Sequence, residues 1–525
     1  MLKEIMAFDL VTQDTVFKPD NLLSFIKHLR RHQQKSIINS GTYLCWESFR
    51  NKKFLLNNSE MLHLVNAYSP KVMVLALATT NDYRDLTVDN KGIYEICSSY
   101  LHIPTPISDK EFLDKEAEKI AEELTKQSHN KWHIDKEKII TELIRESCSV
   151  MFISRGVGLQ HRNFIINIEE IYRDYRILQL LGAEAFRILE NFFGMSVLQI
   201  IRSAWGLFSL GNNPNNNGTI NFNKLTCDDD LTKNLDIDLN TCVSVALNIS
   251  YKESDLRLKW LNTKVLSEEE LYQQYVPDPL FTHPLIHRDK SNIENHFLIP
   301  SPGIFIRSFR EKIFSTILQK SDEKLGMGEK LGNAIEAHIQ EALEHIFKKA
   351  NVQKLESEDK HADFHISLGG IDLIIEVKSM IGGFLDKCVM KPEHVAKMWN
   401  RLYGASIQCA HSQIERKTVG RKVVSIVIIA DHITAEHLPF QHYASKSGLF
   451  YDLGIEAIEF ISWNALENRL AQTSINEFEK TLIEKWNNPD AMTVESLMSL
   501  EMKRDTPAHS YEYLKDAENE IFNKM

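Results

Sequence analysis

Residues 361–380 constrain this 525-residue chain more than any other stretch. Ala362, Phe364, Ile366 and Leu368 alternate with His361, Asp363, His365 and Ser367. Beyond Gly369-Gly370, Ile371, Leu373, Ile375 and Val377 alternate with Asp372, Ile374, Glu376 and Lys378. Period-two alternation on both sides of two glycines predicts a β-hairpin whose two-residue turn tolerates positive φ. So tight a turn sets the register. Leu368 opposes Ile371, and Asp363 opposes Glu376 on one face. Directly opposed residues have Cβ atoms roughly 5 Å apart. Two carboxylates at that separation repel unless a cation sits between them. Lys378 shares their face. The other face is apolar, so the sheet is expected to bury it while the acidic face meets a ligand. Acidic oxygen ligands suit Mg²⁺ or Mn²⁺.

An Asp on one strand followed by Glu-x-Lys on the next resembles the PD-(D/E)XK nuclease superfamily. The family's usual proline before the Asp is Ala362 here. Upstream, Leu331 to Ala350 reads as an amphipathic helix with a stripe of Leu331, Ile335, Ile339, Leu343 and Ile346. Gly332-x-x-x-Glu336 on it resembles the family's first acid, which implies that Glu336 points toward the metal site. An ordinary surface glutamate is the alternative. Downstream, a helix is predicted from Pro392 to about Arg416. Its stripe passes through Val395, Met398, Trp399, Leu402, Ser406, Cys409 and Ala410 to Gln413. The resemblance implies a glutamine on this helix facing the site. Ala410-His-Ser-Gln413-Ile414 fits, and Gln408 lies on the opposite face, which favours Gln413. Strands Val423–Ala430 and Ala457–Trp463 follow, then a helix that Asn464 can cap. The implied fold is an α/β restriction-endonuclease-like core, a central mixed sheet flanked by helices, with a large, mainly helical N-terminal region.

On this resemblance, Asp363, Glu376, Glu336 and the Val377 carbonyl would hold one or two Mg²⁺ or Mn²⁺ ions. Lys378 would position the attacking water and stabilise its charge, and Gln413 would contact phosphate or water. Two other readings of these residues stay open. One is a cross-strand ion pair of Lys378 with Asp363 or Glu376 on an exposed strand. The other is a zinc site of His361, Asp363 and His365. Asp372 falls opposite Ser367, away from Glu376, as a supporting residue. Lys387, Lys391, Lys397, Arg401, Arg416, Lys417, Arg421 and Lys422 outnumber nearby acids and form a candidate phosphate track, with plain helix solvation as the alternative.

The rest of the chain sets bounds. Its net charge of −11 advertises no general attraction to nucleic acid. Residues 1–210 read as a mainly helical sensor or regulatory region. Asp20 can cap a helix through Leu29. Ser69-Pro70 reads as a helix start, with a buried strand as the alternative for Val72 to Ala78. Helices are expected over 109–128 and 135–150, and two or three more between Ile168 and Leu210, breaking near Gly194. Residues 211–302 read as linker and irregular connection, opened by the low-complexity run Gly211–Gly218, a loop or linker, and including a short helix from Ser267 to Tyr275. Residues 303–470 form the nuclease-like domain, and 471–525 a helical tail. Seven scattered cysteines without Cys-x-x-Cys point to a reduced, cytoplasmic compartment. No apolar run approaches a membrane span, and the first residues are no signal peptide. There is no P-loop, hence no motor in this chain.

The expected function is a Mg²⁺-dependent endonuclease, with DNA favoured over RNA from the superfamily's usage. The layout is similar to effector nucleases of anti-phage defence, which implies a phage-derived trigger or partner protein. Oligomerisation stays open. The alternatives are an RNA or tRNA nuclease with the same site, a non-catalytic nucleic-acid- or partner-binding protein on a nuclease-like core, and a nuclease subunit served by a separate ATPase.

Overall fold

A computed structural model describes residues 16–51, 59–80, 83–84, 86–103, 110–127, 144–145, 169–224, 235–256, 280, 282–289, 295–322, 326–355, 361–379, 392–417, 420–430, 437–489 and 511–522. The protein is mostly helical, with two small mixed sheets. Two units form, each interrupted in sequence. The first takes Met1–Ser108, Ser154–Leu325 and Asp516–Met525; the second takes Asp109–Ile153 and Gly326–Lys515.

The helices, in chain order, begin with α1 (Leu22–Leu29), α2 (Gln34–Arg50), α3 (Ser59–Thr79), α4 (Asn90–Leu101) and α5 (Lys110–Gln127). Then come α6 (Glu169–Leu181), α7 (Ala183–Phe193), α8 (Val197–Asn212), α9 (Leu239–Asn248) and α10 (Pro302–Lys320). All but α5 belong to the first unit. Its sheet has strands β1 (Thr219–Asn221), β2 (Ser250–Lys252), β3 (Leu285–His287) and β4 (His296–Leu298), in the order β1-β4-β3-β2. Ile38, Val74, Leu77, Ile286, Leu298 and Ile304 share one buried cluster beneath it.

Several expectations for this unit are corrected. Asn21, not Asp20, caps α1, through a reciprocal pair of bonds with Ser24. Pro70 lies inside α3 instead of starting a helix, and residues 72–78 are helical. Their apolar run, buried on every side, suits a core helix as well as a strand. The break at Gly194 is observed, with the glycine in the left-handed region. Of the loop or linker expected at Gly211–Gly218, a loop is observed over 213–218, inside the first unit. Helix α8 continues to Asn212, and Gly218, at φ 79°, packs where a Cβ would strike Thr42 and Trp46. The strands of residues 219–298 share a unit with the helices before them, and α10 stays there too. The boundary expected near 303 therefore falls after Leu325. The helices predicted over 135–150, save 144–145, and over 267–275 lie outside the described residues.

The second unit holds α5, α11 (Met327–Phe347), β5 (Val352–Lys354), β6 (Phe364–Ser367), β7 (Ile371–Lys378) and α12 (Pro392–Lys417). It continues with β8 (Lys422–Ile429), α13 (His437–Lys446), β9 (Ile458–Ser462), α14 (Trp463–Gln472) and α15 (Ile475–Asn487). The sheet order is β5-β6-β7-β8-β9. The pairs β5–β6 and β6–β7 are antiparallel, and β7–β8 and β8–β9 are parallel. The hairpin register is the expected one. Phe364 opposes Ile375, Ser367 opposes Asp372, and Leu368 N donates to Ile371 O at 3.0 Å.

Two details of the hairpin differ from expectation. Neither turn glycine adopts a positive φ. They serve close approach instead: a Cβ on either would come within 3.2 Å of the Glu479 carboxylate on α15, which accepts the Gly370 N–H. Nor is the acidic face open. The central strands are covered on both sides, as strands with parallel neighbours generally are. Asp372, Ile374 and Glu376 are all buried, and only Val377 and Lys378 at the strand end reach solvent. Ser462, not Asn464, caps α14. No single described helix is long and apolar enough to cross a membrane.

Candidate active site

The site forms where the C-terminal end of β7 meets α11 and α12. Gly332 lets α11 come close, since a Cβ there would stand 3.0 Å from Ser379 Oγ. Asp363 precedes β6 by one residue. Its main-chain oxygen accepts from Leu355 N at 2.9 Å, and its Oδ2 accepts from Val377 N at 2.6 Å. The register puts it opposite Glu376. Ala362, where the resemblance would place a proline, donates its N–H to Ser412 Oγ at 3.0 Å, a bond that proline cannot make.

Glu376 is 1% exposed. One of its oxygens pairs with Lys378 Nζ; the other, Oε2, is buried without a hydrogen-bond partner. Burial pushes the Glu376 carboxyl up to about 8, and the neighbouring Asp363 charge adds to this against the pull of Lys378. Burial likewise pushes Asp363 up to about 6, opposed by its bond from Val377. Lys378, 25% exposed at its side chain, donates from Nζ to Gln408 Oε1 at 2.8 Å. Gln408 Nε2 donates in turn to His361 O at 3.2 Å, tying α12 to the residues that lead into β6.

Gln408 therefore takes the place expected for Gln413. Gln413 is fully buried, and its amide is spent on Ser425 Oγ at 2.8 Å, Ala457 O at 3.0 Å and Glu456 N at 3.0 Å. The apolar stripe of α12 lies flat on the sheet, so a residue at its centre is consumed in packing. The site opens at the margin of that contact, where the flanking Gln408 reaches it. Half-polar positions bordering a stripe were the signal available in the sequence.

Glu336 raises both carboxyls through its charge, but its own carboxylate pairs with Lys354 Nζ at 2.8 Å on β5. Lys354 was not anticipated, because an edge strand of three residues carries no visible period. His365 turns to Asp372 at 3.4 Å and His361 to Glu415 at 3.7 Å, so the zinc reading loses its convergent ligands. Among the described residues, no three His, Cys, Asp or Glu side chains converge to hold an ion. The site offers two carboxylates and main-chain oxygen.

The expected basic track is only partly present. Arg421 is engaged by Asp372 at 3.0 Å and Leu368 O at 2.7 Å, and Lys422 stands over the Trp486 ring. Both lie at the Ile371 end of β7, seven residues from Lys378 and so about 20 Å away. Lys397 and Arg401 remain. They are exposed on α12, eleven and seven residues before Gln408, which puts all three on one helical stripe. Lys387 and Lys391, and the side chains of Arg416 and Lys417, lie outside the described residues.

Compared with family models, with curated proteins and with solved structures, the chain has no match.

Proposed function

We propose that this protein is a metal-dependent nuclease that hydrolyses phosphodiester bonds, with Asp363, Glu376 and Lys378 at its centre. The carrying observation is the Glu376 carboxylate, buried beside a second carboxylate with one oxygen unpartnered. A buried charge of this kind is tolerated when it is paired or binds a metal. The oxygen donors Asp363, Glu376 and the Val377 carbonyl fit Mg²⁺ or Mn²⁺ better than zinc. When bound, such an ion supplies a Lewis acid for the phosphate and an acidified water. Lys378, held by Gln408 and Glu376, directs the attacking water and offsets the negative charge that builds on the phosphoryl oxygens. The water gives up a proton to solvent as its oxygen bonds to phosphorus, the ester P–O bond breaks, and the leaving alkoxide takes up a proton from solvent.

Two features support the reading. The order α11-β5-β6-β7-α12-β8, with three antiparallel strands followed by a parallel one, is similar to a PD-(D/E)XK core. Lys397 and Arg401 extend from Gln408 as a line of cations for a phosphate backbone. DNA is the proposed substrate over RNA, on the superfamily's usage, and phage defence the proposed setting, on layout. The Glu376–Lys378 contact favours a second reading, a nuclease-like core that binds nucleic acid without cutting.

The test is cleavage of plasmid DNA, single-stranded DNA and total tRNA by wild type and Lys378→Ala, with Mg²⁺, Mn²⁺ or EDTA. Metal-dependent cutting lost in the variant supports the nuclease, and the substrate consumed identifies its class. Equal cutting by both proteins removes Lys378 from the mechanism. Binding without cutting by either favours the second reading. Phage challenge of cells expressing each protein tests the defence role.

A further inference from the structure

The asparagine-rich run after α8 builds a site of its own. With α2 and the first residue of α4, it encloses a half-open cleft of about 500 Å³ in the first unit. Every described side chain lining the cleft is neutral and polar: asparagine, serine, threonine and one tyrosine. The run is held in one shape from several sides. Arg50 Nη2 donates to Asn217 Oδ1 at 2.9 Å, and Asn216 Nδ2 to Leu210 O at 3.0 Å. Gly218 N donates to Gly211 O at 2.9 Å, and Ile299 N to Gly218 O at 2.7 Å. Asn217, at φ 48°, and Gly218 both sit in the left-handed region, and Gly218 has no room for a side chain. Such bracing removes much of the ordering cost of binding.

Part of what the cleft presents is unspent, although the amides of Asn216 and Asn217 are engaged within the protein. Among the described residues, the side-chain amides of Asn39, Asn90 and Asn215 and the Tyr43 hydroxyl make no hydrogen bond within the protein, and all four residues are exposed. An amide offers a donor and an acceptor side by side in one plane. Nucleobase edges offer the complementary coplanar pair, which is why asparagine reads adenine with two bonds. A tyrosine ring adds a flat face on which a base can stack. A ligand with carboxylates or phosphates would find no cation in this lining.

We propose that this cleft binds an unpaired nucleobase, either as a free nucleoside or within a single strand. The cleft lies wholly in the first unit and does not rest on the nuclease reading.

The experiment is calorimetric titration of the full-length protein with adenosine, guanosine, cytidine and uridine, each beside its 5′-monophosphate, at low and high salt. Maltose serves as a neutral saccharide control. At least one nucleoside is expected to bind. Its monophosphate should bind within about twofold, with little salt dependence, because the lining carries no charge. Asn215→Ala and Tyr43→Leu should each weaken binding by about five- to tenfold, the loss of one hydrogen bond or one stacking partner. An unchanged melting temperature will show that both variants fold. A single-stranded oligonucleotide beside its abasic counterpart separates the two sources. Tighter binding that vanishes without the base identifies a strand, and a nucleoside that binds as well as the strand identifies the free ligand. The proposal is overturned if no nucleoside binds, if maltose binds equally, if the monophosphate binds far more tightly and salt abolishes it, or if Asn215→Ala changes nothing.

Discussion

The two units each gather charge around a buried carboxylate, and the two clusters differ in composition. In the first, α6 and α10 bring together Arg173, Arg307 and Arg310 with Glu170 and Asp174, three buried cations against two buried acids, with the partly exposed Glu311 nearby. Arg310 approaches Asp174 at 3.5 Å and Arg173 approaches Glu170 at 3.4 Å. In the second, Glu336, Asp363 and Glu376 meet Lys354 and Lys378, three acids against two cations. Arginine stays protonated, so an excess of arginine is met by fixed partners and behaves as structure. An excess of carboxylate can be relieved by a proton or a metal ion, and so can be switched. The first cluster is closed from solvent, whereas Lys378 opens the second at the end of β7. Buried charge is common to both; relievable charge with an opening is what makes the second the candidate site.

The sharpest division comes from Lys378→Ala. It should lower metal-dependent cleavage by about 10² to 10⁴-fold, as for loss of a group acting on the attacking water, with stability little changed. Single-turnover rates and a urea melt on the same sample measure both. Arg310→Ala should do the reverse. It takes from buried Asp174 the cation that pairs with it, leaving only Arg173 nearby, and should cost about 3 kcal/mol, read by denaturant unfolding, with the cleavage rate per folded molecule unaltered.

The two glutamines of α12 make a smaller version of the same contrast. Gln413→Ala strands Ser425 and two main-chain groups and should cost about 1–3 kcal/mol of stability. Gln408→Ala frees Lys378 and should lower the cleavage rate by about tenfold while leaving the unfolding midpoint in place.

The smallest effects lie in pH. In EDTA, Glu376→Gln should stabilise the protein by roughly 1 kcal/mol near neutrality, since it removes the cost of protonating that carboxyl on burial beside Asp363 and Glu336. A carboxyl whose pKa is raised on folding contributes stability at low pH that is lost as pH rises through the folded value. Asp174 and Asp363, both raised to about 6, should give a decline from about pH 4 to 6, and Glu376, raised to about 8, should extend it. Glu376→Gln should flatten the part between pH 6 and 8 and make the lower part shallower, leaving there the share of Asp174 and Asp363. Melts across pH in chelator read this directly, and a wild-type stability that rises over that range would remove the argument from burial.

Much of the second unit was legible along the chain, because its information is local. Alternation over residues 361–378 determines the hairpin and its register, and with them the opposition of Asp363 to Glu376. The 3.6-residue period similarly marks α11 and α12, and the continuous apolar run of 423–429 marks a strand buried on both faces. None of these needs a partner distant in sequence to be recognised.

The tertiary structure alone decided how these pieces were used. Which glutamine served the site depended on where α12 lay on the sheet, a packing outcome that placed Gln413 at the centre and Gln408 at the edge. Arg421 looked like a phosphate contact until the hairpin delivered Asp372 beside it. The turn glycines made room for Glu479, more than 100 residues away, and the run Gly211–Gly218 became one wall of a cleft because Trp46 and Thr42 stood behind it. Periodicity specifies which side of an element is apolar. It does not specify which distant element covers that side, because that is settled by the simultaneous fit of side-chain volumes across the whole core.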